Sequence, residues 1–502
     1  MQTHSTHAIH LVDDADDVAI ALRPLEAGET IELAGGQLTV RELIPRGHKI
    51  ALRDLEAGAL VRKFGWPIGA ATGVILQGSH VHTANLATRL AGLNEYTYKR
   101  NAHAEIPRVP EQPAPTFMGY RRANGRVGTR NEIWILCTVG CVARTAQRIA
   151  RLGAEKFRDR VDGVHAFTHP YGCSQLGDDL DHTRSILAAL ANHPNAGGVL
   201  VVGLGCESNQ LDKLLNEAKD IDPTRIRGFS AQASTDETEE GLEALEALVA
   251  IAETDRREPC PLSDLMVGLK CGGSDGFSGI TANPLVGKIA DAVAAAGGTP
   301  ILTEIPEVFG AEQLLMERAT DETVFHGIVD VVNDFKRYFI SHHQPIYENP
   351  SPGNIAGGIT TLEEKSLGAV QKGGHAAVSQ VLRYGERATR PGLVLLEAPG
   401  NDAVSSTALV AAGATILLFT TGRGTPLGFP VPTLKIASNS ALNEKKPKWI
   451  DFDAGVVLEG TSMDAAGQDL LQLVIDTASG KPARNELNDE REIAIWKSGV
   501  TL

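Results

Sequence analysis

The chain has no long apolar run. None of its 502 residues belongs to a stretch near the roughly 18 apolar positions of a membrane helix. Met1 to Asp17 is polar and acidic with no apolar h-region, so no signal peptide is expected. Positive charge is also short: 47 Lys and Arg face 62 Asp and Glu, a formal net charge of −15. That balance argues against nucleic acid or an anionic membrane surface as partner. An anionic substrate would then need a local basic pocket. Six cysteines in so long a chain do not make a disulfide framework, and reduced thiols in a cytoplasmic protein are expected. Three motifs are missing as well. No G-x-G-x-x-G follows the first α/β strand with an acidic residue about 20 positions on, which disfavours a dinucleotide; no Walker A loop is present, which disfavours phosphoryl transfer. No C-x-x-C occurs, which disfavours a zinc ribbon.

What is present describes a multidomain protein. At 502 residues with 42% hydrophobic and 22% charged residues, two or three ordinary globular domains are expected. Residues 1–105 read as a small β domain. Short strands (Val18–Leu22, Thr30–Leu33, Gln37–Val40, Lys49–Leu52, Val61–Phe64, Val74–Leu76, His80–Thr83) alternate with glycine turns every eight to twelve residues. On one strand His80 and His82 point to the same face, roughly 7 Å apart at Cα. They can share a metal ion with His48 as third ligand, or serve as ordinary surface or hydrogen-bonded histidines. Residues 106–118 form a linker carrying Pro107, Pro110, Pro113 and Pro115.

The texture then becomes α/β, with mostly parallel Rossmann-like sheets expected over 119–370 and 371–502. Strands ending at Cys137, Phe167 and Gly203 each deliver a loop with glycine and cysteine: Gly140-Cys141, His169-Pro-Tyr-Gly-Cys173 and Gly205-Cys206-Glu207. Leu265 to Glu304 reads as a βαβ unit with a helix N-capped by Asn283. Its loop, Lys270-Cys271-Gly-Gly-Ser274-Asp275-Gly276, puts reactive side chains at the carboxyl end of a strand, where ligands bind in open α/β sheets. A plain tight turn is the alternative reading. The last third adds Asn401 and Asp402 after one strand, Gly422-Arg423-Gly424 after the next, and a short strand through Lys435. A guanidinium between two glycines can clamp a carboxylate. Pro345 to Gly358 is long enough for a substrate-facing loop.

The strand ends thus gather thiols (Cys141, Cys173, Cys206, Cys271), carboxylates (Glu207, Asp275, Glu304, Asp402), candidate bases (His169, Lys270) and cations (Arg423, Lys435). This set suits metal- or iron-assisted chemistry on a small, oxygen-rich acid. Removing a proton alpha to a carboxylate leaves a dianion that needs a cation to be reachable near neutral pH.

The strings "GSHVHTANL", "RANGRVGTRNEIWIL", "THPYGCSQLGDD", "GLGCESNQ", "CGGSDGFSGITANP", "QPIYENPSPGN", "APGNDAV" and "TTGRGTP", with others from Gly47 to Leu502, resemble the altronate dehydratase family, which includes galactarate dehydratases and, more distantly, sulfolactate sulfo-lyases. The resemblance implies a SAF-type N-terminal domain, a large α/β catalytic region and dehydration of D-altronate to 2-keto-3-deoxy-D-gluconate in hexuronate breakdown. It also implies a need for Fe2+ or Mn2+, which favours His48, His80 and His82 as a metal site. Cys137 departs from the family pattern and is assigned to packing. An iron–sulfur cluster on Cys141, Cys173, Cys206 and Cys271 is the rival cofactor. The expected chemistry is removal of the C2 proton by Lys270 or His169, with Asp275 and Glu207 as further catalytic carboxylates. Arg423, Lys435, Ser274, Asn401 and Asp402 are the expected substrate contacts. The expected partner is a sugar acid, on altronate, galactarate or another aldonate or aldarate, in a homo-oligomer. A non-catalytic sugar-acid binding protein is the competing class.

Overall fold

A computed structural model describes residues 8–33, 36–98, 115–218, 220–499 and 501. The proline-rich linker lies outside them except for its end, which is already a strand: Thr116–Arg121 pairs antiparallel with Glu258–Pro261 and Val127–Gly128.

The N-terminal part is all β. One antiparallel sheet runs Ile9–His10, Val18–Ala21, Lys49–Ala51, His80–Val81, and two smaller sheets fold against it. Ile9, Leu25, Ile31, Leu38, Ile44 and Ile50 pack between the turns. Two strand assignments need correction. Val74–Leu76 is no strand; Ile75 makes a single bridge to Leu55. Trp66–Ala71 is a strand despite Pro67 and Gly69, because its bulged pairing with Leu60–Lys63 tolerates both.

The α/β part holds two parallel sheets. In chain order the first uses β1 (Glu132–Cys137), α1 (Ala143–Lys156), β2 (Val164–Phe167), α2 (Gly177–Ala191), β3 (Ala196–Gly203), β4 (Ile226–Ser230) and α3 (Glu237–Ala252). The second uses β5 (Met266–Gly272), α4 (Ala282–Ala295), β6 (Thr299–Leu302), α5 (Glu322–Ser341), α6 (Pro352–Ala356), α7 (Leu362–Ala369), β7 (Val378–Leu382), β8 (Leu393–Leu396), α8 (Asp402–Ala411), β9 (Ile416–Thr421), β10 (Thr433–Ala437), β11 (Phe452–Asp453) and α9 (Met463–Ala478). The strand orders are β2-β1-β3-β4 and β7-β8-β6-β5-β9-β10-β11. A division at 370/371 therefore runs through one sheet, since β5 and β6 precede it and pair with β8 and β9 that follow. The break between sheets falls between β4 and β5 instead. Asn283 is not the helix cap: α4 begins at Ala282 after Thr281, and Asn283 turns inward to bond Gly368 O and the Thr420 hydroxyl.

Helix α2 ties the sheets together. Its first half touches Tyr384 and Gly385, just past the carboxyl end of β7, through His182 and Ser185. Beyond its other end, His193 meets the carbonyl of Ala414, before the amino end of β9. Both sheets therefore turn their carboxyl edges to the same side. A cavity lined by Arg122, His193 and Arg225 opens at the opposite edge, away from the glycine loops.

Candidate active site

The β domain docks on the α/β part beside the β5 loop. Gly276 and Gly358 make this approach possible: a Cβ on either would stand 2.0 or 2.2 Å from the Gly47 carbonyl. At the same seam Lys49 reaches Glu364 (2.9 Å), Thr360 and Gly358, and Lys63 reaches Glu364 (2.8 Å). Burial raises the cost of a charge on Glu364, but Lys49 and Lys63 outweigh it and hold the carboxyl at about 2.

Three histidines of the β domain meet here. Lys49 pairs with Val81 and Ile50 with His80. Continuing that register sets His48 across from His82, and the pleat puts His80 and His82 on one face. Their ring centroids lie 4.8 to 5.4 Å apart, and His48 Nδ1 is 3.0 Å from His80 Nε2. Burial, aided by neighbouring positive charge, pushes His80 and His82 down to about 4. One ligand atom from each ring falls within 4.8 Å of the others. This donor set fits a divalent transition metal.

Helix α6 joins this cluster to the rim of the second sheet. His48 Nε2 lies 3.4 Å from the carbonyl of Ala356, and Arg423 donates to the carbonyl of Gly353 at 3.4 Å. Asn354 pins the helix by donating to Ser274 O (2.8 Å) while accepting from Ser351 and Lys365.

Below the β5 loop lies a buried charge network. Lys270 bonds Glu304, and Asp402 at 2.7 Å. Lys372 meets Glu304 at 3.2 Å and Cys271 Sγ at 2.7 Å, and Lys365 meets Glu307 at 2.8 Å. Cys271, Glu304 and Glu307 are close enough together to share an ion. Three ammonium groups already occupy that space, so the set does not fit a metal. Glu304 holds a left-handed φ of 70°, a conformation costing about 1–3 kcal/mol for a non-glycine residue and concentrated at functional sites.

The structure places the remaining expected residues as follows. Burial opposes the charge on Lys270, yet Asp402 and Glu304 raise its pKa above the ordinary lysine range, so it has no lone pair for a proton. His169 has both ring nitrogens on backbone, Nε2 at 2.9 Å from Cys137 O and Nδ1 accepting from Tyr171 N–H. Glu207 accepts from the N–H of Leu204 and Gly205 and from Thr138; these bonds offset burial and hold it below the usual range. Neither is open to a substrate. Asp275 caps its own loop through Phe277 and Ser278 and bonds Ser438 and Asn439. Lys435 is buried and taken by Glu490 at 2.9 Å, so it faces no cleft. Ser274 is buried beside α6, whereas Asn401 and Arg423 are exposed at the rim. Asn401 caps α8. Cys137 is buried in the core of the first sheet, as packing requires. Cys271 is buried in the second sheet, whereas Cys141, Cys173 and Cys206 are exposed on the first, so the four do not form one set. Sequence reasoning missed Lys365, Lys372, Asn354 and Glu364. Their segment reads as a helix and a loop, and only the fold brings it under the β domain.

Three family models cover the chain: the altronate/galactarate dehydratase SAF domain over residues 7–89, the D-galactarate dehydratase/altronate hydrolase second domain over 119–253, and the D-galactarate/altronate dehydratase C-terminal domain over 262–501. The chain is 52% identical to an altronate dehydratase of Escherichia coli (strain K12), along all of both chains. It is 49% identical to an altronate dehydratase of Bacillus subtilis (strain 168), over 97% of this chain and 98% of that one. A galactarate dehydratase (L-threo-forming) of Escherichia coli (strain K12) is 35% identical, over 94% and 92%. Among the described residues no helix is long and apolar enough to cross a membrane. Domain models in this order, spanning nearly the whole length, make the chain a member of the altronate/galactarate dehydratase family.

Proposed function

We propose that the chain is a metal-dependent hydro-lyase that converts D-altronate to 2-keto-3-deoxy-D-gluconate in cytoplasmic hexuronate breakdown. The full-length 52% identity to an altronate dehydratase supports altronate over galactarate, whose dehydratase is 35% identical.

One observation carries the chemistry. His48 and Arg423 contact carbonyls three residues apart on α6, about 5 Å along its axis. A sugar acid lying along that turn meets three neutral imidazoles at one end and a guanidinium at the other. Arg423 would hold the carboxylate bidentately. His48, His80 and His82 would hold Fe2+ or Mn2+, whose chemistry is to stabilise charge that develops beside the carboxylate when the C2 proton leaves. The C2–H bond breaks, its electron pair forms the C2=C3 bond, and the 3-hydroxyl departs with a proton as water. The resulting enol tautomerises to the 2-keto acid. Buried Lys270, paired with Glu304 and Asp402, keeps the β5 loop in place.

The test is anaerobic assay of the purified chain with Fe2+ or Mn2+ against altronate, galactarate and other aldonates. Altronate is expected to give 2-keto-3-deoxygluconate, and His80→Ala to lower turnover about 100-fold or more. Product from galactarate alone would overturn the substrate, and a fully active His80→Ala variant the metal site.

A further inference from the structure

The cavity at the amino edge of the sheets measures about 400 Å³, and Asn192, just past the end of α2, is part of its wall. A second cavity, of about 280 Å³, shares Pro194 with it and is walled by Arg126, Thr299, Thr389 and Thr415. Two arginines meet at the Asn192 carbonyl. Arg126, on the turn between Thr116–Arg121 and Val127–Gly128, donates to it through Nη1 at 3.3 Å. Arg387, on the connection between β7 and β8, donates through Nη1 at 3.1 Å. Both guanidinium groups therefore stand within hydrogen-bond reach of a single oxygen.

Their charges are not met. Nearby Arg122 and Arg225 share Asp255, at 2.7 and 2.8 Å. Among the described residues Arg126 and Arg387 make no ion pair, and Arg387 Nη2 is buried without a hydrogen-bond partner. Burial and the Arg126 charge both work against the charge on Arg387, and exposed Asp220 opposes them. His193 feels the same field: burial pushes it down to about 3, and Arg387, Arg126 and Arg122 add to the shift. One cation is enough to cap the carbonyl that ends α2. A second one buried beside it is unfavourable unless an anion joins the pair. In a chain of net charge −15, this excess of positive charge is local and not a reflection of composition.

We propose that Arg126 and Arg387 clamp a small oxyanion, a phosphate or a carboxylate, at the seam between the two sheets. Each guanidinium keeps further N–H groups in the planar fork that suits either anion. The cavities beside the pair have room for a small molecule, and their place at the amino edge sets the site opposite the glycine loops. A bound anion links the end of α2 to the connection between β7 and β8, and so braces one sheet against the other. The site is apart from the cleft of His48 and Arg423 and takes no part in the proposed reaction.

The test is a thermal-melt titration of the full chain with inorganic phosphate and, separately, with D-gluconate, at ionic strength held constant with sodium chloride. At least one of the two should raise the midpoint in a saturating way, as a ligand of the folded state does. A response to phosphate alone assigns the site to phosphates, and a response to gluconate alone assigns it to carboxylates. Arg126→Gln and Arg387→Gln should each weaken the apparent affinity about tenfold or more, and Arg423→Ala should leave it unchanged. Hydrogen exchange of the wild type with the effective anion should protect residues 122–128, 190–195 and 384–390, which decides the matter should a variant fail to fold. No saturating response to either anion, a response undiminished in both arginine variants, or protection confined to other segments overturns the proposal.

Discussion

Lys270 and Arg423 show how burial divides two cations of one rim. Lys270 is wholly buried between Glu304 and Asp402, whereas Arg423 is exposed with one contact to Gly353 O. Removing Lys270 leaves two carboxylates facing each other in a low-dielectric interior. Lys270→Met is expected to cost about 3–5 kcal/mol, read as a lower urea midpoint, with activity lost alongside. Unchanged stability would show that the network tolerates the vacancy. Arg423 acts in the proposed reaction through planar, bidentate geometry that an ammonium lacks. Arg423→Lys should therefore raise KM for altronate about tenfold while kcat changes little. A fall in kcat at constant KM would place the guanidinium on the reacting atoms rather than on the carboxylate.

Among the elements, α6 is five residues long, too short to be stable alone, and is held by its contacts. Asn354 supplies the main one, linking the helix to Ser274, Ser351 and Lys365 from a fully enclosed position. Asn354→Ala strands these partners and should cost about 1–3 kcal/mol. Because the helix carries the contacts of both His48 and Arg423, the same change should raise KM; a purely thermal effect with normal kinetics would separate α6 from the site.

For the whole molecule, the decisive contact is the seating of the β domain through Lys49, Lys63 and Glu364. The Glu364 carboxyl falls from 4.5 to about 2 on folding. A depressed carboxyl stabilises the fold above its unfolded pKa, and that stabilisation fades as pH drops from 4.5 toward 2, by on the order of 3 kcal/mol. Thermal melts across that window should show the slope, and Glu364→Gln should flatten it while lowering stability at neutral pH, because two buried ammonium groups lose their partner. An identical slope in the variant would assign acid sensitivity to another carboxylate.

Sequence alone determined the periodic elements. Alternation marked most of the short β strands, and glycine-bounded apolar runs marked β1, β3, β5, β8 and β9, because period and turn chemistry are local properties. It also singled out the three histidines and the cysteine loops, since those residue types sit at strand ends. What each group can do was decided only by tertiary structure. Lys270 and Lys435 look alike in sequence, yet one is held by Glu304 and Asp402 and the other by Glu490. His169 and Glu207 read as catalysts until folding fixes them to backbone amides and carbonyls. Lys365, Lys372 and Glu364 became visible only when a segment some 300 residues from His48 came to rest beneath it. Protonation state and reach depend on burial and on partners distant in the chain, and no local pattern encodes either.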